Sequence, residues 1–109
     1  MSRKTHPGPA EDARSAMSVA VVQARLLVPG CRSLKEKRSV VRGLVERARQ
    51  RFNASVAEVG AQDLLQRADL GAAFVSNDRR HLAAEAEALL AYFAGCPDVQ
   101  VIDRQVEIL

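Results

Sequence analysis

The chain has 109 residues, of which 48% are apolar and 27% are charged, and its formal net charge is +3. A chain of this length forms one domain with one core, and it has no apolar run of the roughly 18 residues that a membrane-spanning helix requires. We therefore expect a cytoplasmic protein without membrane partners, whose two isolated cysteines, Cys31 and Cys96, stay reduced and form no metal motif.

The first 16 residues contain two prolines and scattered charge without apolar periodicity. This composition predicts a disordered tail at 1–16, followed by a single domain at 17–109. A first strand is predicted at 18–28, because its alternate residues from Ala20 to Val28 are all apolar and share one face.

A first helix is predicted from Ser33 to Phe52, with Ser33 and Glu36 as a capping box at its start. This segment carries seven Lys or Arg and two Glu, so its charge of +5 exceeds the charge of the whole chain. Positive charge is therefore concentrated in one helix. Apolar residues at helical spacing predict its core stripe, namely Leu34, Val41, Val45, Ala48 and Phe52.

Two further strands are predicted at 53–60 and 68–76. The loop between them is expected to hold a helical turn in which Asp63 pairs with Arg67 at the i, i+4 spacing. Alternation predicts that the second of these strands turns three residues toward the core, namely Leu70, Ala72 and Phe74.

A second helix is predicted from Asn77 to Phe93, followed by Gly95 in the left-handed conformation that ends many helices. The last strand, at 99–109, changes the phase of its alternation near Asp103, which predicts a β-bulge. The core stripe of this helix is predicted to comprise Leu82, Ala86, Leu89, Leu90 and Phe93.

The predicted order of elements is β-α-β-β-α-β. This order is typical of the α+β class, in which both helices lie on one face of a four-stranded antiparallel sheet. The sequence therefore predicts a ferredoxin-like fold.

Four segments, "PGCRSLKEKRSVV", "RFNASVAEV", "QDLLQRADLG" and "VSNDRRH", resemble in this order the YlxP-like family of small bacterial proteins of unknown function. The resemblance covers residues 17–109 and implies the same ferredoxin-like fold. Bacterial genes of this family often lie beside genes for translation initiation and ribosome maturation factors, so the resemblance implies work on RNA or the ribosome. It implies no catalytic residues. The chain departs from the family at Leu65, where an aromatic residue, often Trp, is expected.

The basic helix is the first candidate site. On a helical wheel, four basic residues fall within an arc of about 60° beside the core stripe. A uniform positive face attracts a polyanion and releases counterions from its phosphates. We therefore predict a non-enzymatic factor that contacts the phosphates of RNA or of a ribosomal subunit; a solvated face and an acidic protein partner are the alternatives. The predicted RNA-binding residues are Lys35, Arg38, Arg42 and Arg49.

The sheet face without helices is the second candidate site. It carries small apolar residues and no aromatic side chain on which a base could stack. As an alternative function, we predict a homo-oligomeric structural or adaptor protein that binds another protein through this face. The predicted interface residues are Val21, Gly71, Ala73 and Val75.

Catalytic and metal sites are not indicated by the other polar residues. His81 follows Asp78 by three residues, as a general base oriented by a carboxylate would, but a surface histidine near a helix start has the same pattern. The acids Glu58, Asp63 and Asp78 lack a diagnostic metal spacing. We predict no catalytic residue, metal, cofactor or small-molecule substrate, and an enzyme that uses His81 is the least favoured alternative.

Overall fold

The computed structural model describes residues 16–109 and confirms the α+β ferredoxin-like fold. Its elements are β1 (Ser18–Leu27), α1 (Leu34–Arg51), β2 (Ser55–Gly60), β3 (Arg67–Ser76), α2 (Arg79–Ala94) and β4 (Gln100–Ile108). The four strands form one antiparallel sheet in the order β2-β3-β1-β4, and both helices pack on the same face of it. The tail predicted at 1–16 lies, apart from Ala16, outside the described residues.

The two central strands follow the predicted alternation. Successive side chains of a strand point to opposite faces, so one set of residues meets the helices and the other set does not. Every residue that the sequence predicts to face inward is buried: Ala20, Val22, Ala24, Leu26 and Val28 in and after β1, and Leu70, Ala72 and Phe74 in β3.

Helix α1 begins at the predicted cap. The Oγ atom of Ser33 accepts a hydrogen bond from the backbone N–H of Glu36 at 3.1 Å, while the carboxylate of Glu36 accepts from the N–H of Arg32. The predicted ends of the stripe, Leu34 and Phe52, are only half-buried. The buried side of the helix comprises Lys37, Val41, Leu44, Val45 and Ala48.

Helix α2 confirms its predicted stripe, because Leu82, Ala86, Leu89, Leu90 and Phe93 are all buried. The prediction for Gly95 is wrong. Gly95 has a φ of −86° in the right-handed region, and its N–H donates to the carbonyl oxygen of Ala91. The helix therefore ends without a left-handed residue.

The predicted helical turn between β2 and β3 is also wrong. Residues 61–66 form turns and bends, with the N–H of Leu64 donating to the carbonyl oxygen of Ala61. Strand β3 begins at Arg67, and the guanidinium of this residue pairs with Asp69 at 3.1 Å. Strand geometry places residues two apart on the same face, so Arg67 meets Asp69 and not Asp63.

Both edge strands contain a β-bulge. In β4, Asp103 lies opposite Arg25 and Val101 lies opposite Leu26, so Ile102 is the extra residue and the predicted bulge near Asp103 is confirmed. In β2, Glu58 lies opposite Leu70 and Gly60 lies opposite Asp69, so Val59 is the extra residue. The sequence did not predict this second bulge.

Besides Leu44, Lys37 is a buried residue of α1 that the predicted stripe omits. Its side chain is 0% exposed and lies on the buried side of α1. The Nζ atom donates to the carboxylate of Glu58 at 3.1 Å and to the carbonyl oxygens of Ala61 at 2.8 Å and Gln62 at 3.4 Å. One ammonium group therefore joins α1, β2 and the loop that follows β2.

Replacing Lys37 by Met should destabilise the protein by about 3 kcal/mol, because Glu58 and two carbonyl groups lose their shared donor while the apolar stem is retained. The free energy of unfolding in urea measures the loss. The control is Lys35→Met on the exposed side of the same helix, which should change stability by less than about 0.5 kcal/mol. Equal effects of the two replacements would show that the buried ion pair contributes nothing.

Candidate nucleic-acid interface

A groove runs between helix α1 and the edge strand β2, and we call it the α1–β2 groove. Its volume is about 280 Å³. Three of the four predicted RNA-binding residues line it, whereas Lys35 is exposed on the helix outside the lining. The lining residues are Arg38, Val41, Arg42, Val45, Arg49, Ala57 and Glu58.

The period of the helix explains why these arginines meet. With about 3.6 residues per turn, Arg38, Arg42 and Arg49 follow one flank of α1, directly beside the buried residues Val41 and Val45. Their aliphatic stems can pack against that apolar border while the guanidinium groups reach water. The result is a floor of valine side chains with a row of cations along one wall.

Arg49 also has a structural role that the sequence did not reveal. Its Nε atom donates to the carbonyl oxygen of Val56 in the edge strand at 3.0 Å. A strand at the edge of a sheet has backbone groups without a neighbouring strand, and this bond satisfies one of them. Replacing Arg49 would therefore remove a bond to the edge strand as well as a positive charge.

The positive charge of the α1–β2 groove is largely uncompensated. Glu58 is the one acid in the lining, and its carboxylate is already bonded to the buried Lys37. Within residues 16–109, neither Arg38 nor Arg42 has a carboxylate partner within 4.0 Å. Among the described residues, no carboxylate therefore competes with an anion for these two exposed guanidinium groups.

The opposite flank of α1 differs in character. There the guanidinium carbon of Arg51 lies 5.2 Å from the ring centre of Tyr92, in a cation–π contact. Tyr92 belongs to a cluster that holds all the aromatic residues of the chain, with Phe52, Phe74 and Phe93. No aromatic ring is thus left for the sheet face without helices.

We call that face the outer sheet face. Over β2, β3 and β1 it carries small apolar residues. The four predicted interface residues, Val21, Gly71, Ala73 and Val75, all lie on it, and their role in an interface stays a prediction. A shallow depression of about 300 Å³ is lined by Val21, Gly71 and Ala73 but not by Val75. Val59 packs closely over Gly71, since a Cβ atom at Gly71 would lie only 3.0 Å from the side chain of Val59.

The outer sheet face becomes charged at one end. The carboxylate of Asp69 accepts hydrogen bonds from Arg67, at 3.2 and 3.1 Å, and pairs with Arg25 at 3.5 Å. The hydrogen bonds from Arg67, and then the charge of Arg25, hold the pKa of this carboxyl below its usual value. Gly60 lies against the pair, since a Cβ there would come within 3.0 Å of the carboxylate.

Comparison of the sequence with known proteins identifies the family of this chain. Residues 19–106 match the family model described as "Protein of unknown function (DUF503)". The chain belongs to the DUF503 family. It is also 32% identical over 82 residues to "Uncharacterized protein YlxP" of Bacillus subtilis (strain 168), a match that covers 75% of this chain and 89% of that protein. The resemblance to YlxP-like proteins is confirmed.

Asp78 has a local structural role in this DUF503 protein. The carboxylate of Asp78 caps α2 by accepting from the backbone N–H groups of Arg80 and His81, so these bonds do not involve the imidazole ring. Within residues 16–109, no three His, Cys, Asp or Glu side chains converge as metal ligands would. In the same range, no helix is both long and apolar enough to cross a membrane.

Both cysteines of this DUF503 protein are free thiols. Cys31 is buried, and this burial, followed by the negative charges of Glu36 and Asp98, raises the pKa of its thiol. A thiol with a raised pKa is a poor nucleophile near neutral pH. Cys96 donates its S–H to the carbonyl oxygen of Tyr92 at 3.2 Å.

Replacing Asp69 by Asn should lower stability by no more than about 1 kcal/mol near neutral pH, because the pair is partly exposed. Since the pKa of Asp69 is lowered in the folded state, its contribution is fully present above the unfolded value of about 3.8. It disappears as the pH falls through the folded pKa. Urea unfolding of both proteins from pH 7 to pH 2 should give curves that converge in acid. A constant difference would contradict the ion-pair account.

Proposed function

We propose that this DUF503 protein is a non-enzymatic RNA-binding factor that contacts the phosphates of a ribosomal subunit or another structured RNA through helix α1. One observation supports the proposal above the others. Arg38, Arg42 and Arg49 line a single groove, and the first two are exposed without a carboxylate partner in the described part of the chain.

The chemistry of arginine suits this role. A guanidinium group donates several hydrogen bonds in a planar fork that matches two oxygens of one phosphate. A row of such groups raises the local concentration of a polyanion and speeds its encounter with the protein. Each phosphate contact also releases condensed counterions, which makes the affinity depend on salt.

The proposal concerns phosphate contacts and not base reading by the sheet. Modules that read bases on a sheet use exposed aromatic rings as stacking platforms. Here all four aromatic residues, Phe52, Phe74, Tyr92 and Phe93, pack in one cluster at or beneath the helices. Contacts to phosphates alone position a protein on RNA with little sequence preference.

The affinity for structured RNA or for isolated ribosomal subunits should fall steeply with salt. Three phosphate contacts give a slope of log K against log salt of about −2 to −3, or a loss of about thirtyfold between 50 and 200 mM salt. The double replacement Arg38→Glu and Arg42→Glu should weaken binding by a similar factor for different RNA sequences and reduce the slope by about two. Fluorescence anisotropy and co-sedimentation measure both effects.

Arg49 is left unchanged in this experiment because of its bond to the edge strand. Urea unfolding of the double variant checks that the fold is retained. If the unmodified protein shows no salt-sensitive binding to RNA or to ribosomal subunits at about 50 mM salt, the helix is a solvated face and the proposal fails.

A second function is favoured by a separate observation. Val59 and Val75, on the outer sheet face, are 59% and 63% exposed, and Val59 lines the shallow depression around Gly71. Exposed apolar surface of this kind marks protein–protein contacts. We propose that two copies of the chain associate through this face, which leaves the α1–β2 groove open on each copy.

Replacing Ala73 by Glu should convert such a dimer to monomers, because the new carboxylate lies in the middle of the outer sheet face. Sedimentation velocity at micromolar concentration measures the change. Ala83→Glu, on the exposed side of α2, is the matched control and should leave the dimer intact. An unmodified protein that is monomeric under these conditions would rule out self-association through this face.

A further inference from the structure

We propose that the α1–β2 groove binds one single strand of RNA, in preference to a duplex or to single-stranded DNA. This inference rests on the proposed RNA-binding function and goes beyond it, because it names the form of the nucleic acid and a second wall of the site. That wall is formed by β2 and its residue Glu58.

The shape of the groove favours a single strand. Its floor contains the apolar side chains of Val41 and Val45, which lie between the arginines of α1 and the edge strand. Its volume of about 280 Å³ admits a sugar or a base together with its phosphate, but not the breadth of a double helix. A duplex would meet only the rim, whereas one sugar of an unpaired strand can enter the groove and contact the small exposed part of these valines.

The three arginines of the groove form a row along the axis of helix α1. With a rise of about 1.5 Å per residue, Arg42 lies about 6 Å along the axis from Arg38, and Arg49 lies about 16 Å from Arg38. A row of this length matches successive phosphates of one backbone and exceeds the size of a single inorganic anion. The valine floor lies beside the part of the row that contains Arg42, so sugar and phosphate can be held together there.

Glu58 gives the groove a group that a purely phosphate-binding site would not contain. Its side chain is 19% exposed, and its Oε2 atom accepts from the buried Lys37. A carboxylate repels phosphate, but its remaining lone pairs accept hydrogen bonds from hydroxyl and N–H donors. The ribose 2′-hydroxyl, which DNA lacks, is such a donor. Lys37 holds the acceptor in place and compensates its charge.

Three labelled ligands of one sequence test the preference: a single-stranded RNA, the same RNA as a duplex, and the corresponding single-stranded DNA. At about 50 mM salt, the RNA strand should bind about tenfold more tightly than its duplex. It should bind about three- to tenfold more tightly than the DNA strand, the effect of one hydrogen bond to the 2′-hydroxyl. Fluorescence anisotropy titrations give the three dissociation constants.

Two charge reversals on the same helix locate the site. Arg42→Glu lies in the groove and should weaken binding of the RNA strand by at least about tenfold. Arg47→Glu is the matched control, since Arg47 is exposed and lies outside the lining of the groove. It should weaken binding by less than about threefold, because only the long-range field changes. Urea unfolding confirms that both variants are folded.

The outcomes separate this inference from the proposed function. If all three nucleic acids bind with salt-sensitive but equal affinity, or if both reversals weaken binding equally, the groove inference is overturned and phosphate binding by the helix survives. If no nucleic acid binds, both fail. Binding of a polyglutamate peptide without binding of RNA would also overturn both, and would assign the groove to an acidic protein partner.

Discussion

The buried ammonium group of Lys37 is the interaction on which the candidate site depends. A lysine inside a core is stable only if each of its donors has an acceptor, and here Glu58 and the carbonyl groups of Ala61 and Gln62 supply them. Together with the buried apolar residues of the same side, these bonds hold helix α1 against β2. The arginines occupy the adjacent flank of the same helix, so the bond from Lys37 to Glu58 joins the two walls of their groove.

Alternation and helical spacing were sufficient to predict most of the fold. The inward residues of β1 and the stripe of α2 are all buried as predicted, because apolar periodicity directly reports which side faces the core. The burial of Lys37 was not predicted, because a charged residue is expected to be exposed unless its partners are known. Its main partner, Glu58, lies 21 positions away along the chain. The conformation of Gly95 was predicted wrongly, because a helix can end on a glycine without left-handed geometry.

Only half of the candidate site could be predicted. A helical-wheel projection of α1 predicted that Arg38, Arg42 and Arg49 lie on one side, since their spacing is a property of the helix alone. The facing wall is different, because it depends on β2 being the edge strand beside α1, which is set by the order of strands in the folded sheet. For the same reason, no local pattern could show that Arg49 donates to the carbonyl oxygen of Val56.

The two β-bulges bear on how the protein behaves at high concentration. The open edges of a sheet offer backbone groups to strands of other chains, and long regular edges promote fibrils. In this sheet, Val59 interrupts one edge and Ile102 interrupts the other, close to the same row of residues. Neither edge therefore presents an unbroken ladder. Such irregular edges are poorer templates for pairing with strands of other chains than regular edges are.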